Sequence, residues 1–175
     1  PGSWGYIASD GKLLYGSLAN PQHVARFAWK SADVSELWGE STALFALDAK
    51  TGRVKWHYQQ TPHDDWDFTS TQPMILTRMT IDGKERPVVL HAPKNGYLYI
   101  LDRRDGTLLR ANPIVRVNWN RGIHPLTGRP IDNPDEADYR DGPKIVFPAT
   151  PGARNWHKAS YDPVSGLYYA PVQDM

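Results

Sequence analysis

The chain has 175 residues, enough for one ordinary domain with a sizeable core. Its 20 Lys and Arg against 19 Asp and Glu leave a net charge of +1, which gives no reason to expect nucleic acid or an anionic membrane as partner. Cysteine is absent, which excludes a disulfide framework and a thiolate metal site, and no segment approaches the roughly 18 apolar residues that span a bilayer.

Seven Trp, nine Tyr, 15 Pro and 14 Gly point to aromatic strands punctuated by turns, an all-β pattern. The sequence opens on Pro1 rather than Met, and PGSWGYIASDG already reads as turn and strand, so we expect an internal piece of a longer protein. KLLYGSL (12–18) follows the turn Asp10-Gly11. Residues 24–39 come nearest to a helical period, with Phe27, Val34, Leu37 and Trp38 loosely spaced, and admit a short helix. TALFALD (42–48) and RVKWHYQ (53–59) flank a Lys-Thr-Gly turn. PMILTRMT (73–80) and RPVVLHAP (86–93) flank Asp82-Gly83, a good hairpin signal. YLYILD (97–102) and TLLRA (107–111) follow, then a long segment rich in Pro, Asn, Asp and Gly (111–143) that reads as an ordered loop. KIVFPA (144–149) and LYYAPV (167–172) complete the expected strands.

An internal repeat organises these elements. ALDAKTGRVKW (46–56) aligns with ILDRRDGTLLR (100–110), and SYDPVSGLYYA (160–170) is a third relative. Each copy runs strand, Asp, a turn ending in Gly, strand: Asp48, Asp102 and Asp162 hold the same place. A unit of this length holds about four short strands, the size of one propeller blade. Trp56, replaced by Arg110 in the second copy, is placed to pack between neighbouring blades. The expected architecture is therefore a partial β-propeller of about three four-stranded blades, one domain over residues 1–175, cut from a larger ring.

The stretch HDDWDFT sets His63, Asp64, Asp65 and Asp67 around Trp66. Either Asp64 and Asp65 solvate a turn while Trp66 packs inward, or Asp67, held just past the tryptophan, serves as a general base. Lys94 sits in a Pro-Lys-Asn-Gly turn before a strand, where it is either a solvated turn lysine or a donor to a ligand's carbonyl oxygens. Asn155 and Trp156 head another strand after Pro-Gly; Trp4 precedes the first strand and Asn20 follows the next. Residue types and spacing leave each of these open between packing and chemistry.

Taken together, TGRVKWHYQQTPHDDWDFTSTQPMIL, HAPKNGYLYILDRRDGTLL, VNWNRGIHPLTGRPIDNP and NWHKASYDPVSGLYYAPVQ closely resemble consecutive segments of the pyrroloquinoline-quinone (PQQ) alcohol dehydrogenases, over residues 42–175 in order and more weakly over 1–41. The resemblance implies a propeller of roughly eight blades with tryptophan-docking repeats. It implies that Asp67 is the catalytic base, that Lys94 contacts the ortho-quinone oxygens, that Asn155 with Trp156 contacts the cofactor, and that Trp4 is the floor on which PQQ stacks. Asn20 is the implied calcium ligand, with Asp67 beside it, although Gly16-Ser-Leu-Ala-Asn20-Pro21 departs from the family's usual Gly-Thr-Gly-Asn-Pro. Lanthanide-using relatives carry a second aspartate two places after the base; here that place is Thr69, so Ca²⁺ is the expected ion. The implied reaction is oxidation of an alcohol to an aldehyde or ketone, with a cytochrome c or a quinone as electron acceptor and the periplasm as compartment. The contrasting expectation is a non-catalytic propeller scaffold of the bacterial envelope, which has no reason to keep Asp67, Lys94 and Asn155 together.

Overall fold

Asp-to-Gly turns set the frame of the fold. The structure, a computed structural model, describes residues 7–18, 43–62 and 64–175. β1 (Ala8–Ser9), β2 (Leu13–Leu18), β3 (Ala43–Asp48) and β4 (Val54–Gln59) form one antiparallel sheet in chain order. β5 (Ile75–Ile81), β6 (Lys84–His91), β7 (Tyr97–Asp102) and β8 (Leu108–Pro113) form a second of the same kind. The repeat read from sequence is a repeat of geometry. Gly52, Gly106 and Gly166 each donate their N–H to the carbonyl of Asp48, Asp102 and Asp162 respectively, at 2.8 Å in all three. Register shifts fall between Ala46 and Leu47 and between Ile100 and Leu101, the same place in both sheets. Each aspartate also accepts N–H groups of its own turn, such as Thr51 at 2.9 Å and Val164 at 2.9 Å, so the side chain replaces ladder partners the turn lacks.

Trp56 docks as expected. It leaves the first sheet and donates its indole N–H to the Arg103 carbonyl of the second at 2.9 Å. Its ring lies where a Cβ on Gly106 would stand, 2.8 Å away, so only glycine at φ +77° fits that turn. In the second copy, Arg110 instead reaches back to Asp82.

β6 and β7 are covered on both faces, as stacked blades require. Val89, Tyr97, Tyr99 and Leu101 join Tyr15, Leu44 and Trp56 of the first sheet in one buried cluster. Val88, Leu90 and Ile100, on the opposite face, pack against Tyr161 and Tyr168. Those two tyrosines lie on a hairpin of β11 (Ser160–Asp162) and β12 (Leu167–Tyr169). Burial of each such aliphatic side chain is worth roughly 1.5–3 kcal/mol. The fold is thus all-β, a partial propeller. Two blades are four-stranded, and the third expected blade is represented among the described residues by this hairpin.

Two local expectations need correction. Residues 111–143 are more regular than a loop: they hold a hairpin of β9 (Asn120–Ile123) and β10 (Pro130–Asp132), then a short helix α1 (Pro134–Ala137). Trp119 anchors them by donating its indole N–H to the Asn95 carbonyl at 2.7 Å. KIVFPA (144–149) is not a strand. Asn118 takes both hydrogen-bonding groups of Phe147, its side-chain oxygen accepting the Phe147 N–H at 2.6 Å and its own N–H donating to the Phe147 carbonyl at 3.2 Å, while Pro148 has no N–H to give. The helix considered for 24–39 lies outside the described residues.

Candidate functional site

Asp64 shapes the first half of the site. It does not solvate its turn; it is drawn in, and one carboxylate oxygen accepts the N–H groups of Trp66 at 3.1 Å and Phe68 at 3.0 Å. Burial pushes this carboxyl up to about 6 against those two hydrogen bonds, with the like charges of Asp67 and Asp65 adding to the rise. Gathering two N–H groups onto one oxygen curls the chain tightly. Asp67 consequently adopts φ +65°, a left-handed conformation that aspartate tolerates better than most residues. Trp66 points inward, donates to the Ala137 carbonyl at 3.1 Å and packs 5.4 Å from the Trp119 ring. With its neighbour anchored there, the Asp67 side chain is left 62% exposed.

The turn between β6 and β7 supplies the second half. Asn95 is fully buried and ties the turn down from inside. Its amide N–H₂ donates to Tyr99 Oη at 2.8 Å and Thr61 Oγ1 at 3.1 Å, and its oxygen accepts the Tyr97 N–H at 3.2 Å. Lys94, so held, sends its stem under the Asp67 turn. Its Nζ donates to Asp67 Oδ2 at 2.9 Å and to the Asp67 carbonyl at 3.0 Å. The lysine side chain is 9% exposed, so an accessible carboxylate sits over a buried ammonium. Two of the three ammonium protons are engaged by described residues, and the third is left to donate.

The segment carrying Asn155 lies along the Lys94 turn. Ala153 donates its N–H to the Lys94 carbonyl at 2.9 Å. Gly152, at φ +81°, approaches so closely that a Cβ there would stand 2.4 Å from the Lys94 Cβ. Asn155 uses its amide locally, donating to the Pro151 carbonyl at 3.1 Å and accepting the Trp156 N–H at 3.0 Å. Trp156 is 69% exposed and stacks on His157 with ring centroids 5.5 Å apart. Asp67 and Lys94 are therefore in direct contact, Asn155 and Trp156 follow two and three residues after Ala153, whose N–H bonds the Lys94 carbonyl, while their own side-chain contacts are local, and Trp4 and Asn20 lie outside the described residues.

A surface hollow of about 700 Å³ lies elsewhere, lined by Tyr97, Arg116, Asn120 and Glu136, and includes none of these residues. Among the described residues no group of three or more His, Cys, Asp or Glu gathers as a metal cluster. Three supporting residues escaped the sequence reading: Asp64 as a turn-former, Asn95 and Gly152. An Asx turn is legible in principle from Asp64 ahead of Trp66. The approach of Gly152 to Lys94 joins residues 58 apart and has no local signal.

Comparison with known proteins completes the picture. Residues 1–121 match the family described as PQQ: glucose/ethanol/alcohol dehydrogenase, β-propeller domain. The chain is 49% identical over 135 residues to the quinohemoprotein alcohol dehydrogenase of Comamonas testosteroni, an alignment covering 76% of this chain and 18% of that protein. It is 34% identical over 176 residues to the lanthanide-dependent methanol dehydrogenase of Methylacidiphilum fumariolicum, covering 99% of this chain and 28% of the relative. The solved structure of quinohemoprotein alcohol dehydrogenase ADHIIG from Pseudomonas putida HK5 superposes with a TM-score of 0.80 at 37% identity, over 98% of this chain and 26% of that one. The chain thus spans only about a fifth to a quarter of the length of such relatives.

Proposed function

The chain belongs to the PQQ-dependent glucose, ethanol and alcohol dehydrogenase β-propeller family, and on that premise we propose that it carries the base-bearing, quinone-facing part of an alcohol dehydrogenase, completed by blades outside these 175 residues. The observation that carries this reading is the Asp67–Lys94 pair, with a 62% exposed carboxylate 2.9 Å from a 9% exposed ammonium. An envelope scaffold has no use for a lysine buried under a reachable carboxylate, since burying a charge is expensive unless the site needs it.

The donors fit a flat ring bearing carbonyl oxygens. Lys94 has one ammonium proton left to give such an oxygen, and Trp156, on the segment whose Ala153 bonds the Lys94 turn, is an exposed aromatic side chain. Asn155 and Trp4 are the remaining proposed contacts, Trp4 as the stacking floor. When bound, PQQ supplies an ortho-quinone that accepts hydride, and Ca²⁺ held by Asp67 and Asn20 supplies Lewis-acid polarisation of that quinone. Asp67 takes the hydroxyl proton of the alcohol on Oδ1, the oxygen that Lys94 leaves free. Lys94 fixes the orientation of that carboxylate through Oδ2 and through the Asp67 carbonyl. Thr69 stands where a second carboxylate would suit a trivalent ion; its hydroxyl adds no charge, which favours calcium. The products are an aldehyde or ketone, with electrons passing to a cytochrome c or a quinone in the periplasm.

Asp67→Asn in the full-length protein tests the assignment. The amide keeps shape and hydrogen-bonding reach but accepts no proton, so alcohol oxidation should fall by at least the roughly 10²–10⁴-fold that a positioned base contributes, with PQQ still bound. Turnover retained within a few-fold would refute the base.

A further inference from the structure

We propose that Arg154 is a positioning residue that docks the Asn155 segment onto the Lys94 turn, an inference that rests on the reading of that site given above. Arg154 is 1% exposed, among the most deeply buried side chains of the described residues. Its guanidinium forms no ion pair among them, and its Nε has no partner there. A buried cation without a carboxylate is costly. Its retention calls for a structural return that a neutral side chain cannot give, and the hydrogen bonds supply one.

Nη1 donates to the Ala92 carbonyl at 3.1 Å and to Tyr168 Oη at 3.1 Å, and Nη2 donates to the His157 carbonyl at 2.7 Å. Ala92 stands two residues before Lys94, His157 two after Asn155, and Tyr168 lies on β12. The Arg154 carbonyl accepts from the Gln72 amide at 3.3 Å, which joins the strut to the chain leaving the Asp67 turn. One planar fork therefore ties together the turn of Lys94, the segment of Asn155 and the hairpin behind both. The neighbouring Ala153–Lys94 hydrogen bond, 2.9 Å, and the close seat of Gly152 depend on that docking. Lysine carries its donors on a single nitrogen and lacks the fixed fork by which Nη1 and Nη2 reach the Ala92 and His157 carbonyls separately.

The test uses the full-length protein with Arg154→Met, which keeps bulk without donors, and Arg154→Lys, which keeps charge without the fork. In the PQQ-free protein, the Ala153 amide should exchange about tenfold faster in both variants, one net hydrogen bond's worth, while Ala46 in the first sheet keeps its wild-type rate. PQQ affinity should fall by about the same factor in both, with the KM for alcohol unmoved in the PQQ-saturated variants. Wild-type exchange at Ala153, or faster exchange at Ala46 to the same degree, would overturn the positioning role. Full rescue by lysine would overturn the fork and leave only the charge. If the wild-type protein bound no PQQ, the functional reading would fall, and the exchange rates would still decide the role of Arg154.

Discussion

Gly152→Ala offers the sharpest test of how the site is assembled. Gly152 sits at φ +81°, and the position a Cβ would take lies 2.4 Å from Lys94 Cβ and Cγ and 2.8 Å from Lys94 Cα. Since Cα is backbone, no rotamer change in lysine clears the clash. The left-handed conformation costs a non-glycine residue about 1–2 kcal/mol, and forcing extra volume into a packed contact adds about 1–3 kcal/mol. Gly11 supplies the control: at φ +85° it has nothing within 4 Å of its Cβ position, so Gly11→Ala isolates the conformational part. We expect Gly152→Ala to destabilise the full-length protein by about 1–3 kcal/mol more than Gly11→Ala, read as a lower urea midpoint at unchanged slope. PQQ affinity should fall in the first variant alone, because relief of the clash displaces the Lys94 stem. Equal midpoints for the two variants would refute the close approach on which the site's assembly depends.

Two further outcomes follow from other residues. His91 is fully buried, with Nδ1 3.0 Å from Gln60 Oε1 and Nε2 3.1 Å from the Gln72 carbonyl, and burial together with the nearby Arg154 charge pushes its pKa down to about 3. The unfolded chain takes up this proton below about 6.5 and the folded chain does not, so stability is full above that pH and is lost as pH falls toward 3, by about 1.4 kcal/mol per unit. Between neutral pH and pH 5 the wild type should therefore lose about 2 kcal/mol more than His91→Gln, measured by denaturant titration, and parallel losses would contradict the buried neutral ring. Thr69 lies between the Asp67 and Lys94 contacts, donating its N–H to the Asp67 carbonyl at 3.0 Å and accepting the Lys94 N–H at 3.3 Å. Thr69→Asp should shift the metal that best restores activity to the chelated full-length protein from calcium toward a lanthanide, and an unmoved preference would remove the argument for calcium.

Much of the frame was legible because its signals are local. The Asp-to-Gly turns at 48, 102 and 162 repeat with recognisable residues, and Trp56 closes the first copy at the place that Arg110 holds in the second, where it docks on the Arg103 carbonyl. Strands β6 and β7 were readable because Asp82-Gly83 and the Asp102 turn bracket two runs, PVVLH and YLYILD, that are largely apolar and buried on both faces. KIVFPA misled because its apolar content looks like a strand, whereas Pro148 and the long-range bonds of Asn118 to Phe147 decide otherwise. The β9–β10 hairpin hid inside polar, proline-rich sequence whose order comes from Trp119 reaching Asn95. At the site, resemblance picked out Asp67 and Lys94, which the structure joins at 2.9 Å. The residues that hold them there, Asn95, Gly152 and Arg154, work through contacts between distant segments, and no spacing rule in a single sequence reports such contacts.

The convergence of Asp67, Lys94 and Asn155 on one redox ring is the claim most open to a single measurement, a crystal structure of the full-length protein loaded with PQQ. The account predicts Lys94 Nζ and the Asn155 amide within hydrogen-bonding distance of the ring's oxygens, about 3 Å, with Asp67 Oδ1 facing the open substrate position. A ring bound on another surface, or one that leaves the Lys94 ammonium sealed beneath Asp67 with no contact to it, would contradict the account.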